Sequence, residues 1–192
     1  MNNGLEIELP LDESKIKSLK SGDVIFLSGI IFTARDAAHR RFFDLITSGK
    51  PLPLDLSGQV IYYCGPTPPP PDKATGSAGP TTSGRMDGYT PLILQKTGLK
   101  GMIGKGGRSP EVIDAIVKNV CVYFAAAGGA GALLSSCIKK STIVCYEDLG
   151  AEAVRRLEVE KMPVIAAIDC YGNNLYVDGP KRFLRNICSF HE

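Results

Sequence analysis

The 192 residues carry 22 Lys and Arg against 20 Asp and Glu, a formal net charge of +2, with hydrophobic residues at 44% and charged residues at 22%. That length suits one domain, taken as residues 1–192, with a sizeable core and is short for two; a composition near the globular average argues against a disordered or fibrous chain. The near-neutral balance, without a basic block or a Lys/Arg run interleaved with aromatics, speaks against a nucleic-acid surface.

The opening "MNNGLEIELPLDESK" is polar and acidic, unlike a secretory or transit leader. The longest apolar stretches, such as "VCVYFAAAGGAGALL", fall short of the roughly 18 residues that a bilayer span needs. The expectation is a soluble cytoplasmic protein with no membrane role.

Alternation in "LEIELPL" predicts a short strand, and "GDVIFLSGIIFTA" a long, buried one. "RDAAHRRFFDLITSGK" switches to helical period, with Ala38, Phe42, Leu45 and Ile46 on one face, Asp36 as N-cap and Gly49 as stop. Arg35 then stands at a helix entrance, where free N–H groups and the dipole attract anions. "GQVIYYCG" is the next strand. It runs into "PTPPPPDKATGSAGPTTSGRMDG", a loop whose length marks it as functional or disordered; its second half concentrates Thr81, Thr82, Ser83, Arg85 and Asp87.

"DGYTPLILQKTGLKG" reads as a short helix ending at Gly98 or Gly101, followed by a turn, "IGKGG". "SPEVIDAIVKN" is a helix capped by Ser109 with Pro110 in its first turn. "VCVYFAAA" is a strand, "GGAGALLSSCIKK" a glycine-opened helix, and "STIVCYE" and "PVIAAIDCYGNNLYV" are strands, the last turning through Gly172 and Asn173. Irregular interleaving predicts an α/β fold with a β-rich core flanked by helices.

Six cysteines contain no C-x-x-C, and only two histidines, His39 and His191, are present, so zinc-type spacing is lacking. Cys64, Cys121, Cys145 and Cys170 sit in or at the ends of apolar runs, as buried thiols do. "GMIGKGG" fails as a phosphate loop because Gly106, not Ser or Thr, follows Lys105; "GGAGA" fails as a dinucleotide fingerprint because Leu134 holds the third glycine's place. What remains is Arg35, Thr81, Arg85 and Lys105, three cations and a hydroxyl at glycine-rich turns or a helix entrance. Guanidinium groups grip carboxylates bidentately, so this set matches a diacid.

"SGIIFTARDAAHRR", "IYYCGPTP", "GPTTSGRMDGYTPLIL", "GMIGKGG" and "YEDLGAEAVRRLEVEKMPVIAAID" together resemble the beta subunit, or C-terminal domain, of iron–sulfur hydro-lyases: class I fumarase and L-tartrate dehydratase. The likeness runs in order from about Leu5 to Tyr176. The run of prolines at 68 to 71 and "DKATGSAGP" depart from the family pattern.

The resemblance implies a swivelling β/β/α domain. It also implies a separate alpha subunit that supplies the cysteine ligands of a [4Fe-4S] cluster, with the two chains forming a heterodimer or heterotetramer. It assigns Arg35, Arg85 and Lys105 to the carboxylates of a four-carbon substrate, and Thr81 to the region of the moving proton as a relay. Asp36 and His39 share the first motif, with capping and packing as their expected roles, and Asp87 is expected to orient Arg85. Fumarate/malate is the leading substrate pair and tartrate the alternative. A carboxylate-binding module without catalysis is the competing class.

Overall fold

The computed structural model describes residues 4–188. Seven strands form one sheet among these residues: β1 (Leu5–Glu8), β2 (Val24–Thr33), β3 (Val60–Tyr62), β4 (Gly101–Gly104), β5 (Val122–Ala125), β6 (Ile138–Cys145) and β7 (Val154–Ile168). The helices are α1 (Glu13–Ser18), α2 (Asp36–Thr47), α3 (Thr90–Thr97), α4 (Pro110–Lys118), α5 (Gly131–Ser136) and α6 (Leu175–Cys188).

Strands β1 to β5 are parallel neighbours in chain order. The long β7 runs antiparallel to both β5 and β2, with a register from Val24 opposite Ile165 to Phe32 opposite Arg156, and so closes β2, β3, β4, β5 and β7 into a barrel. β1 extends the start of β2, and β6 lies along the first half of β7.

Strand alternation sorts the core into two clusters. Val60, Tyr62, Ile103, Val122 and Phe124 join Ile25, Leu27 and Ile31. Their neighbours Ile61, Tyr63, Met102 and Tyr123 join Phe42 of α2, Leu94 of α3 and Ile116 of α4. Strands buried on both faces need apolar residues at every position, which is why β3 to β5 lack the apolar/polar alternation of a half-exposed strand. The α/β class and helix-flanked β core predicted above are therefore observed.

Several boundaries differ from the prediction. "GMIG" was expected to be helix end and turn, yet β4 is wholly buried; its two glycines serve close packing, since a Cβ on Gly101 would lie 2.8 Å from Val60 Cγ2. Helix α1 was not anticipated; Asp12 caps it by accepting from the Lys15 amide at 2.8 Å. β6 claims Ile138 to Lys140 from the predicted helix, and β7 is one strand of 15 residues. "NLYV" opens α6 rather than ending a strand: Asn174 Oδ1 accepts from the Tyr176 amide at 3.0 Å, a cap-type bond that starts a helix.

Candidate functional site

The parallel strands deliver their loops to one edge of the barrel, the carboxyl edge where α/β sheets collect ligands. Arg35 follows β2, Thr81 and Arg85 lie on the connection after β3, and Lys105 follows β4. Arg35, not Asp36, holds the N-cap position of α2, and no side chain caps it. The cap prediction misses by one residue because Asp36 turns its carboxylate sideways, 3.8 Å from Arg35 Nε and 3.6 Å from Arg85 Nε. Asp36 thus links two of the predicted cations.

Glu152, from the 3-10 segment Glu147–Glu152, lies 3.2 Å from Arg35 Nη2 and accepts from the Ala37 amide at 3.3 Å. A carboxylate at a helix N-terminus meets both free N–H groups and the positive end of the dipole. Arg35 Nε is itself buried with no hydrogen-bond partner.

Backbone bonds knit the other two loops together. The Thr81 amide donates to the Tyr63 carbonyl at 2.7 Å, the Lys105 amide to the Thr81 carbonyl at 3.3 Å, and the Ser83 amide to the Lys105 carbonyl at 2.9 Å. Thr81 is half-buried, whereas Arg85 and Lys105 are exposed. The approach is close at Gly104: a Cβ there would collide with Ser83 Oγ and stand 2.9 Å from the Tyr63 ring.

Beneath this edge lies a buried polar network centred on Arg108, a residue absent from the sequence prediction. Its side chain is 0% exposed, and Nε donates to Asp87 Oδ1 at 2.7 Å. Its terminal nitrogens donate to Tyr63 Oη at 3.2 Å and Thr90 Oγ1 at 2.9 Å. The other Asp87 oxygen accepts from the Ser109 amide at 2.7 Å. Asp87 therefore orients Arg108 and the entrance of α4, which corrects the expectation that it orients Arg85; Arg85 finds Asp36 instead. Tyr123 Oη donates to the Gly106 carbonyl and bonds Ser83 Oγ, both at 2.8 Å. The loops carrying Arg85 and Lys105 are thus pinned from below at Asp87, Ser83 and Gly106.

His39 is buried, with Nδ1 donating to the Arg35 carbonyl at 2.9 Å and its ring edge-on to Tyr63 at 5.2 Å. Burial pushes its pKa down to about 4, against the opposing pull of the Arg35 carbonyl. The same burial that packs His39 against Tyr63 favours its neutral ring.

No group of three or more His, Cys, Asp or Glu side chains among the described residues is arranged to hold a metal ion. Cys64 and Cys121 are buried in different core clusters, and burial pushes both thiols up to about 12, opposite to what a thiolate ligand needs. These cysteines do not fit a cluster site. Among the described residues, no helix is long and apolar enough to cross a membrane.

The edge thus sets three cations and a hydroxyl against two carboxylates, Asp36 and Glu152, in an α/β barrel domain that presents polar groups from its loops. The chain belongs to the family described as Fumarase C-terminus, whose model matches residues 2–179. It is 37% identical over 177 residues to a putative L(+)-tartrate dehydratase subunit beta of Methanocaldococcus jannaschii, covering 90% of this chain and 91% of that one. It is 40% identical over 151 residues to the anaerobic class I fumarate hydratase of Escherichia coli, covering 78% of this chain and 28% of the relative. A putative class I fumarate hydratase of Geobacillus stearothermophilus is 34% identical over 192 residues, 98% of this chain and 36% of the relative. The chain therefore spans about a third of the fumarate hydratases it matches and nearly all of the tartrate dehydratase subunit. Membership in this group of hydro-lyase relatives agrees with the resemblance carried by the motifs.

Proposed function

We propose that this chain is the beta-type half of a hydro-lyase that adds water to fumarate, or removes it from malate, at a site completed by a separate alpha subunit. The observation that carries this reading is the convergence of Arg35, Thr81, Arg85 and Lys105 on one strand edge, in a chain that matches a beta subunit over nearly its whole length. The [4Fe-4S] cluster belongs to the partner in this reading and supplies the Lewis acid for the hydroxyl.

This chain's own task is electrostatic. Water addition or loss beside a carboxylate passes through carbanion character that spreads into that carboxylate, and cations fixed there stabilise the growing charge. Arg85 and Lys105 are exposed, so they meet the carboxylates first. Arg35, held by Glu152 through one terminal nitrogen, is oriented at the same edge to meet a second carboxylate. Thr81, fixed through its backbone to Tyr63 and Lys105, offers a hydroxyl as a relay for the proton leaving the neighbouring carbon.

The beta-subunit match keeps tartrate as the second reading, since tartrate is also a four-carbon diacid. The test is anaerobic turnover by this chain co-expressed with a cluster-bearing alpha subunit, on fumarate and on tartrate in parallel. Fumarate hydration that requires both chains is the expected result; turnover of tartrate alone selects the second reading. No turnover of either, with the cluster intact, returns the chain to the class of carboxylate-binding modules.

A further inference from the structure

The proline-rich connection after β3, the β6–β7 ribbon and the Glu147–Glu152 segment enclose a recess of about 540 Å³. That is room for a small metabolite rather than a single water. Pro66, Pro68, Ala74 and Ile143 give it apolar walls. Its polar lining includes Thr75, Ser141 and Arg155, together with the carboxylate of Glu147.

Three of these side chains are unsatisfied. Thr75 is 4% exposed and its Oγ1 is buried without a hydrogen-bond partner; the same is true of Ser141 Oγ and Arg155 Nε. The register sets Arg155 opposite Ile143, and Ser141 lies two residues along β6, so Arg155, Ile143 and Ser141 share one face of the ribbon. Arg155 has no ion pair among the described residues, and Glu147 stands beyond pairing distance of it.

A buried polar group left unpaired costs about 1–3 kcal/mol, and native interiors keep few of them. For three groups in the lining of one recess the described residues supply no hydrogen-bond partner. Two hydroxyls can be satisfied by water, but an unpaired guanidinium in the same lining favours an oxyanion over a neutral ligand. We propose that this recess is an accessory site for a small anion bearing a carboxylate or a phosphate. It is separate from the edge that carries Arg85 and Lys105, although the two regions share a wall. Gly150 and Ala151 line the recess, and at Gly65 a Cβ would lie 3.0 Å from the Ala151 carbonyl and 3.2 Å from Arg35 Nη1. The proposal does not depend on the hydro-lyase reading.

The test is titration of the 192-residue chain with inorganic phosphate and, separately, with succinate at constant ionic strength, followed by backbone amide NMR shifts. Saturable shifts are expected at Thr75, Ser141, Ile143 and Arg155, and the tighter of the two probes identifies the anion chemistry. Arg155→Gln should weaken binding by about tenfold or more, the loss of one charge-assisted pair. Thr75→Val should weaken it several-fold without lowering Tm, because it removes a hydroxyl that has no partner in the free protein. Glu147→Gln should tighten it by removing a like charge. Arg35→Ala should leave it unchanged. The absence of saturable shifts with both probes overturns the proposal, as does binding that survives Arg155→Gln and disappears in Arg35→Ala, which would place the anion on the other edge.

Discussion

Arg85 and Arg108 serve the same end of the barrel in opposite ways. Arg85 is 55% exposed and its one ion pair among the described residues is a loose 3.6 Å contact with Asp36; Arg108 is fully enclosed, bonded to Asp87, Tyr63 and Thr90, and flanked by two tyrosine rings. The first has spare donors facing outward, and the second has committed its donors to holding loops in place. The difference separates a surface that can meet a substrate from a frame that fixes where that surface stands.

Variants can sharpen this contrast, and the frame should give the largest changes in stability. Arg108→Ala leaves Asp87 without its charge partner and opens a cavity between Tyr63 and Tyr123, so a loss of about 3–5 kcal/mol is expected by chemical denaturation. A loss below 1 kcal/mol would mean that the network is not what pins the loops.

The next effect comes from pH. The folded-state pKa of His39 is depressed to about 4 from 6.5, so the unfolded chain takes up the proton first as the solution is acidified. Stability from this group is fully present above pH 6.5 and falls between 6.5 and 4, by about 3 kcal/mol in all. Urea titrations across that window should show the slope, and His39→Gln should flatten it.

Asp87→Asn keeps the shape but removes the charge facing Arg108, with an expected cost of about 2 kcal/mol. Arg85→Ala belongs at the other end of the scale. An exposed, weakly paired arginine should change stability by no more than about 0.5 kcal/mol, and a larger change would blur the line between surface and frame.

Some of this was legible in the sequence. Arg35, Thr81, Arg85 and Lys105 could be singled out because turns and helix entrances are local features, and local chemistry places them. α2 and α4 were readable from helical period and from the Ser109–Pro110 opening. β4 was not, because four residues with two glycines look like a turn until Val60 and Ser83 are known to crowd them. The Asp87–Arg108 pair joins residues 21 apart across two loops, and no periodicity reports such a contact. The only signal was an arginine held between a glycine turn and a helix cap. Glu152 was hidden further, reaching Ala37 from 115 residues away.

The most direct measurement compares kcat/KM for anaerobic fumarate hydration and Tm between the native chain and Arg85→Ala, each assembled with the cluster-bearing alpha subunit. Turnover should fall by about a hundredfold or more with Tm unchanged, because a charge-assisted contact to the reacting carboxylate is lost while the frame is untouched. Full activity in Arg85→Ala would contradict it and leave the exposed edge without its proposed role.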